Sequence, residues 1–114
     1  MKMLEMSREL SAAERYALTM SPAVQQMKKA KGETITISAW CVYQDVNKDG
    51  KENIILSILS ESGEIHATNS PTFINDFNNM QELFRDAGED VHAITVISGM
   101  SKAGREFITC VYAG

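Results

Sequence analysis

The sequence predicts a mainly β domain with one internal helix and a helical segment at its N-terminus. Two observations lead to this fold class. Stretches of alternating β-branched and apolar residues recur after residue 32, separated by turn signals that contain glycine. Between the third and the fourth of these stretches, phenylalanines recur at helical spacing.

Length and composition limit the classes of protein to consider. The chain has 114 residues, of which 44% are hydrophobic and 23% charged, as expected of one folded domain. No apolar run reaches the ~18 residues that a membrane span needs. Charged residues stand at positions 5, 8 and 9, where a signal peptide has its apolar core. We therefore expect a cytoplasmic protein with no membrane partner.

The N-terminal residues read as helical. Ser11 and Glu14 form a capping-box pattern, in which each side chain satisfies a free amide at a helix start. Ser21-Pro22 indicates a second start, with serine as the cap and proline in the first turn. We therefore divide the chain into an N-terminal helical extension, 1–31, and a domain, 32–114.

The domain begins with three predicted strands joined by two turns. These strands are Thr34–Tyr43, which extends to Val46 at most, Asn53–Leu59 and Glu64–Thr68. Asp49-Gly50 is a favoured pair for a hairpin turn, and Ser62-Gly63 turns the chain again. The three strands are therefore expected to form an antiparallel meander.

A helix and a second hairpin complete the domain. They are a helix from Ser70-Pro71 to Gly88 and two strands, Ala93–Ile97 and Glu106–Tyr112. A long first strand, a meander and a helix between the third and fourth strands match the OB-fold, a five-stranded barrel. Phe73, Phe77 and Phe84 would then close one end of the barrel.

Metal and catalytic chemistry find little support. Asp45, Asn47 and Asp49 match positions one, three and five of a calcium loop, but position twelve is Leu56, which has no carboxylate. The two histidines, His66 and His92, have no paired Cys or His spacing that suggests zinc. We predict no cofactor and no metal. Cys41 and Cys110 belong to no CxxC pair and are expected to be reduced and buried.

Aromatic residues on the predicted strands suggest a binding face. On the last strand Ile108 and Cys110 suit the interior, which leaves Phe107 outside. His66 lies outside if Ile65 and Ala67 lie inside. A bulge in the first strand would send Tyr43 outward and Trp40 inward, whereas without a bulge Tyr43 shares the face of Ile35 and Ile37. An exposed cluster of Tyr43, His66 and Phe107 would stack nucleic-acid bases.

The net charge of the domain opposes nucleic-acid binding, whereas the positions of its cations partly favour it. Residues 33–114 contain five Lys/Arg and twelve Asp/Glu and so carry a net charge of −7. This charge disfavours binding of the nucleic-acid phosphate backbone. Residues 71–92 account for −4 of it, with five Asp/Glu and one Arg. The cations Lys48, Lys51, Lys102 and Arg105 fall in the two hairpin loops that flank the ligand face of an OB-fold. The tract 28–31 could add to them.

These features together resemble a known family. Residues 32–112 are similar to the small single-stranded-DNA-binding proteins of tailed phages of Gram-positive bacteria, most clearly through Val96-Ile-Ser-Gly99 and Ser101-Lys-Ala-Gly-Arg-Glu-Phe107. The resemblance implies an OB-fold that coats single-stranded DNA during replication without catalysis, with aromatic stacking from the first and third strands. Tyr43 falls at a matching tyrosine, whereas His66 replaces one. The long N-terminal segment also departs from the family.

The resulting hypothesis is a phage- or prophage-encoded protein that binds single-stranded DNA in the bacterial host cytoplasm, as a monomer or homodimer, alone or with replication proteins. The predicted contact residues are Trp40, Tyr43, His66, Phe107, Lys48, Lys51, Lys102 and Arg105. Alternatives are an OB-fold module that binds a partner peptide and a calcium-binding hairpin. A small enzyme is the least favoured class.

Overall fold

The structure is a computed structural model that describes residues 1–46 and 48–114. Its elements are the strands β1 (Lys2–Met6), β2 (Val24–Gln26), β3 (Thr34–Val46), β4 (Glu52–Ser60), β5 (Ile65–Thr68), β6 (Ala93–Met100) and β7 (Glu106–Tyr112), the helices α1 (Ala12–Thr19) and α2 (Pro71–Asp86), and a 3-10 helix (Met27–Ala30). In the part of the chain described, no helix is both long and apolar enough to cross a bilayer.

The strands form one sheet in the order β2-β5-β4-β3-β6-β7, with β1 added beside β3. β3 pairs with β4 from Ile37 to Val46, with β6 over residues 34–36, and with β1 over residues 41–44. Because one long strand changes partners along its length, the sheet curls into a half-barrel. The fold is therefore mainly β and consistent with an OB-like fold, but with seven strands rather than five among the described residues.

The two unexpected strands come from the segment predicted to be helical. The capping box at Ser11 is present: Glu14 N donates to Ser11 Oγ at 3.1 Å, and Ser11 N donates to Glu14 Oε1 at 3.0 Å. The second helix start at Ser21-Pro22 is wrong. Ser21 Oγ instead accepts from Ala23 N in a tight turn, and the chain then extends as β2. Parallel pairing of β2 with the edge of β5 overrides the local helix signal.

Two hydrophobic clusters lie on opposite faces of the sheet. The inner cluster, inside the half-barrel, includes Trp40, Val42, Leu56, Ile58, Phe73, Phe77, Ile94, Val96 and Cys110. The outer cluster consists of Leu10, Leu18, Ala39, Cys41, Tyr43 and Ile65. Met27 and Ala30 join the inner cluster and Leu18 the outer one, so residues 1–31 pack on both faces. Whether residues 32–114 form a domain separate from the extension, 1–31, depends on independent folding and stays a prediction.

A bulge in β3 decides which residues face which cluster. The register shifts between Ile37, opposite Ser60, and Ala39, opposite Leu59. Trp40 therefore points inward, where it packs edge-on against Phe77 at a centroid distance of 5.3 Å, and Tyr43 belongs to the outer face. Of the two alternatives left open by the sequence, the structure has the bulge.

Both thiols are free and buried, as predicted. Cys41 lies in the outer cluster and Cys110 in the inner one. Burial raises the pKa of Cys41 to about 11 and that of Cys110 to about 12. Thiols that stay protonated at neutral pH are poor nucleophiles and poor metal ligands, which fits a purely structural role.

Candidate nucleic-acid interface

A groove of about 630 Å³ runs between the end of β5 and the start of β7. Four parts of the chain line it: the 3-10 helix with the residue before it, the centre of the β3–β4 pair, the connection from β5 to α2, and the first residues of β7. The lining residues are Gln26, Met27, Lys28, Tyr43, Ile55, Ala67, Thr68, Asn69, Ser70, Glu106, Phe107 and Ile108. Tyr43 and Phe107, two of the predicted contact residues, thus meet at one surface.

Phe107 is held in the groove by a glycine on the neighbouring strand. It pairs with Gly99 in the β6–β7 ladder. A Cβ atom added to Gly99 would lie 2.7 Å from Cζ of Phe107, so the aromatic ring rests directly over the glycine backbone. The ring is half-buried, with the rest of its surface turned to the groove. Sequence reasoning missed this role of Gly99, although a glycine inside a strand signals close approach of another group.

Tyr43 forms a deeper part of the groove wall. Its side chain is 5% exposed, packed in the outer cluster and opposite Ile55 of β4. Burial, with smaller contributions from the charges of Cys41 and Asp45, raises the pKa of its phenol. The ring is therefore neutral at physiological pH and fixed by packing. The expectation of a freely exposed Tyr43 is wrong, because α1 and its flanking residues cover much of the outer face.

Positive charge reaches the groove from the N-terminal segment. Lys28 of the 3-10 helix lines the groove. Lys31 Nζ lies 3.3 Å from Oε1 of Glu106 and so compensates the acidic residue in the lining. Ser70, the N-cap of α2, is also part of the wall, and a helix N-terminus carries partial positive charge. None of the acidic residues between 71 and 92 lies among the described lining residues.

His66 and Trp40 lie elsewhere. The expected orientation of β5 is wrong: Ile65 pairs with Leu59 and faces the outer cluster, whereas His66 pairs with Ile58 and points inward. His66 is 5% exposed and borders a separate cavity of about 330 Å³. Trp40 is 3% exposed in the inner cluster. Of the three rings in the exposed cluster predicted from the sequence, only Tyr43 and Phe107 line the groove, and Tyr43 does so as a buried residue.

The hairpin cations are exposed at the ends of two strand pairs. Lys48 and Lys51 lie between β3 and β4, and Lys102 and Arg105 between β6 and β7. Arg105 directly precedes Glu106 of the groove wall, and its own N–H donates to Ser101 Oγ within the turn. None of the four is among the described lining residues of the groove. Contact of these four side chains with DNA stays a prediction.

The calcium-loop alternative finds no structural counterpart. Asn47 lies outside the described residues, strands rather than helices flank the loop, and Leu56 at position twelve is fully buried. Within residues 1–46 and 48–114, no group of three or more His, Cys, Asp or Glu side chains is arranged to hold a metal ion.

A curled sheet with an aromatic groove and a lysine at its wall is characteristic of small β domains that bind extended ligands. The family model of the phage single-stranded DNA-binding proteins of the phi29 type matches residues 16–112, which is most of the chain. The protein belongs to this family, and binding of single-stranded DNA without catalysis is its function at the family level. No curated protein matches the chain, and no solved structure does.

Proposed function

We propose that the protein is an OB-fold protein that coats single-stranded DNA, without sequence preference, during phage replication in the host cytoplasm. Bases stack on the half-buried ring of Phe107, in a groove whose wall includes the buried ring of Tyr43, and phosphates lie near Lys28 and the cations of the two hairpin loops. The observation that carries the proposal is the convergence of two aromatic rings and a lysine on one groove.

The electrostatics fit a protein of modest affinity. The chain has a net charge of −4, so long-range attraction of DNA is weak. Locally, however, the Lys31–Glu106 ion pair leaves Lys28 as the uncompensated charge among the described lining residues. Since each phosphate contact on a single strand contributes roughly −0.7 to the slope of log K against log salt, a few contacts give a shallow salt dependence.

Replacement of the Phe107 ring tests the stacking. Stacking contributes about 1–3 kcal/mol per base, so Phe107→Leu should weaken binding of a fluorescent oligo-dT roughly tenfold at low salt, whereas Phe107→Tyr keeps the affinity. Tyr16→Leu removes an exposed ring on α1, outside the groove lining, and serves as the matched control. Failure of the unaltered protein to bind oligo-dT at low salt would overturn the proposal and favour a peptide ligand for the groove.

A pair of neighbouring lysines tests the path of the phosphates. Lys28 lines the groove and Lys29 does not, although both are exposed and lie in the same 3-10 helix. Lys28→Met should lower the affinity and reduce the salt slope by about 0.7. Lys29→Met should change neither. Equal effects of the two substitutions would mean that only the net charge matters and that DNA does not follow the groove.

A further inference from the structure

The 3-10 helix beside the groove distributes its side chains with a period of three. Residues three apart lie on the same side of such a helix. Met27 and Ala30 are accordingly both buried in the inner cluster. Lys28 lines the groove, and Lys31, the C-cap residue, continues the turn because its N–H donates to Lys28 O at 3.3 Å. Lys31 therefore lies on the groove side of this helix, whereas Lys29 is exposed on a third side.

The ammonium group of Lys31 contacts the β7 wall of the groove. Its Nζ lies 3.3 Å from Oε1 of Glu106, the first residue of β7 and part of the groove lining. The two side chains are 48% and 58% exposed. An exposed ion pair shifts an equilibrium by at most about fivefold, so this contact opens easily. Lys31 and Glu106 thus connect the 3-10 helix to β7 by a bond that another anion can replace.

The backbone at Lys31 is fixed, in contrast to the end of its side chain. Gly32 N donates to Val96 O at 2.7 Å, and Val96 N donates to Glu33 O at 3.0 Å. These hydrogen bonds attach the segment after the 3-10 helix to β6. The Lys31 side chain has a flexible four-carbon stem. A change of ion-pair partner therefore needs only a rotation of this side chain and no change in the fold.

The position of Glu106 connects this ion pair to the DNA groove. Glu106 directly precedes Phe107, on whose ring the proposed function places a base. A strand that stacks there brings its phosphates close to the Glu106 carboxylate, and like charges repel each other. The same phosphates are acceptors for the ammonium group of Lys31.

We propose that Glu106 takes the place of a phosphate in the free protein and that Lys31 passes from Glu106 to the DNA backbone when a strand enters the groove. Lys31 is then a further DNA contact, and Glu106 lowers the affinity because it competes with the phosphate for the same ammonium group. This inference rests on the proposed function and adds to it how the groove limits its own affinity.

A double substitution tests the exchange without changing the net charge. Lys31→Met together with Glu106→Gln removes both members of the pair. An exchange takes place only if it is favourable, so the double variant should bind fluorescent oligo-dT two- to fivefold more weakly than the unaltered protein. Its slope of log K against log salt should be smaller in magnitude by up to about 0.7. Equal affinity and equal slope would mean that the pair stays closed in the complex, which would overturn the inference.

Single substitutions separate the competition from the net charge. Glu106→Gln frees Lys31 and should raise the oligo-dT affinity two- to fivefold. Glu89→Gln makes the same change in net charge at an exposed residue outside the groove lining and should have little effect. Lys29→Met with Glu89→Gln is the matched control for the double variant and should bind as the unaltered protein does. Equal gains from Glu106→Gln and Glu89→Gln would contradict the competition.

Failure of this inference is distinguishable from failure of the proposed function. If the unaltered protein does not bind oligo-dT at low salt, the proposed function fails and the exchange fails with it. If the unaltered protein binds and Phe107→Leu weakens binding, but the double variant matches the unaltered protein, only the exchange fails. The melting temperatures of all these variants should stay close to that of the unaltered protein, because the pair is exposed. Weaker binding then reflects a lost contact and not a lost fold.

Discussion

The two faces of β3 are both buried, but by different means. The inner face, with Trp40 and Val42, is covered by α2 and the other strands of the half-barrel. The outer face, with Cys41 and Tyr43, is covered by residues of the N-terminal segment such as Leu18. The comparison shows that this domain does not expose the whole outer side of its sheet to a ligand. Among the residues that the structure describes, Tyr43 borders the open groove between β5 and β7.

The largest effect is expected on the inner face. Phe77 is fully buried and contacts the edge of Trp40, so Phe77→Ala should lower the free energy of unfolding by about 3–5 kcal/mol. Urea unfolding followed by circular dichroism measures the change. A cost below about 1 kcal/mol would mean that α2 does not complete the inner cluster.

The matching substitution on the outer face is Leu18→Ala. Leu18 is also fully buried, so we expect a cost of about 2–4 kcal/mol in the same measurement. This value separates two interpretations of residues 1–31. If the segment were a loosely attached extension, the loss would be within about 0.5 kcal/mol, as for a surface substitution.

The pH dependence of stability probes both faces, because Cys41 lies in the outer cluster and Cys110 in the inner one. In the folded protein each thiol stays protonated at pH values above 9, the pKa of an unperturbed thiol. In the unfolded chain the same thiols lose their protons from about pH 9 upward. The full contribution of each thiol to the free energy of unfolding is therefore present below pH 9. Above pH 9 this free energy falls by about 1.4 kcal/mol per pH unit for each thiol, until the pH reaches the pKa of the folded state, about 11 for Cys41 and about 12 for Cys110. The difference between the unaltered protein and Cys41→Ala or Cys110→Ala isolates each contribution. Parallel curves for protein and variant would show that the thiol is not protected.

The smallest effect concerns two serines of β4. Ser57 Oγ is fully buried without a hydrogen-bond partner, whereas Ser60 Oγ contacts Ser62 Oγ at 2.7 Å and accepts from Glu64 N at 3.1 Å. Ser57→Ala should be neutral or stabilising by up to about 1 kcal/mol, and Ser60→Ala should cost about 1 kcal/mol. Thermal unfolding of the two variants distinguishes them. The reverse order would show that Ser57 has a partner in solution, such as a buried water.

Much of the domain from residue 34 onward could be predicted because its signals are local. The alternation of β3, the cap at Ser70 and the phenylalanine stripe of α2 are all present in the structure. The inward side of β7 also follows from its alternation, since Ile108 and Cys110 pack against the inner cluster. Each of these elements is determined by residues close to one another in the sequence.

The remaining features depend on distant partners. β1 and β2 are short and form only because β3 and β5 offer free edges for hydrogen bonding. The side on which His66 lies follows from the register of β5 against β4, and a shift of one residue reverses it. The sequence leaves open whether β3 has a bulge, and only the pairing of Ile37 with Ser60 and of Ala39 with Leu59 shows that it has one and where it lies.

The centre of β3 is enclosed in every direction. Residues 41–44 have β4 on one edge and β1 on the other, with the inner and outer clusters above and below them. The backbone amides of this stretch should therefore be among the slowest in the molecule to exchange with deuterium, since both neighbouring strands must separate before water reaches all of them. Tyr43 is thus part of a strand that is paired on both edges, whereas Phe107 lies on a strand that, among the described residues, pairs with β6 alone.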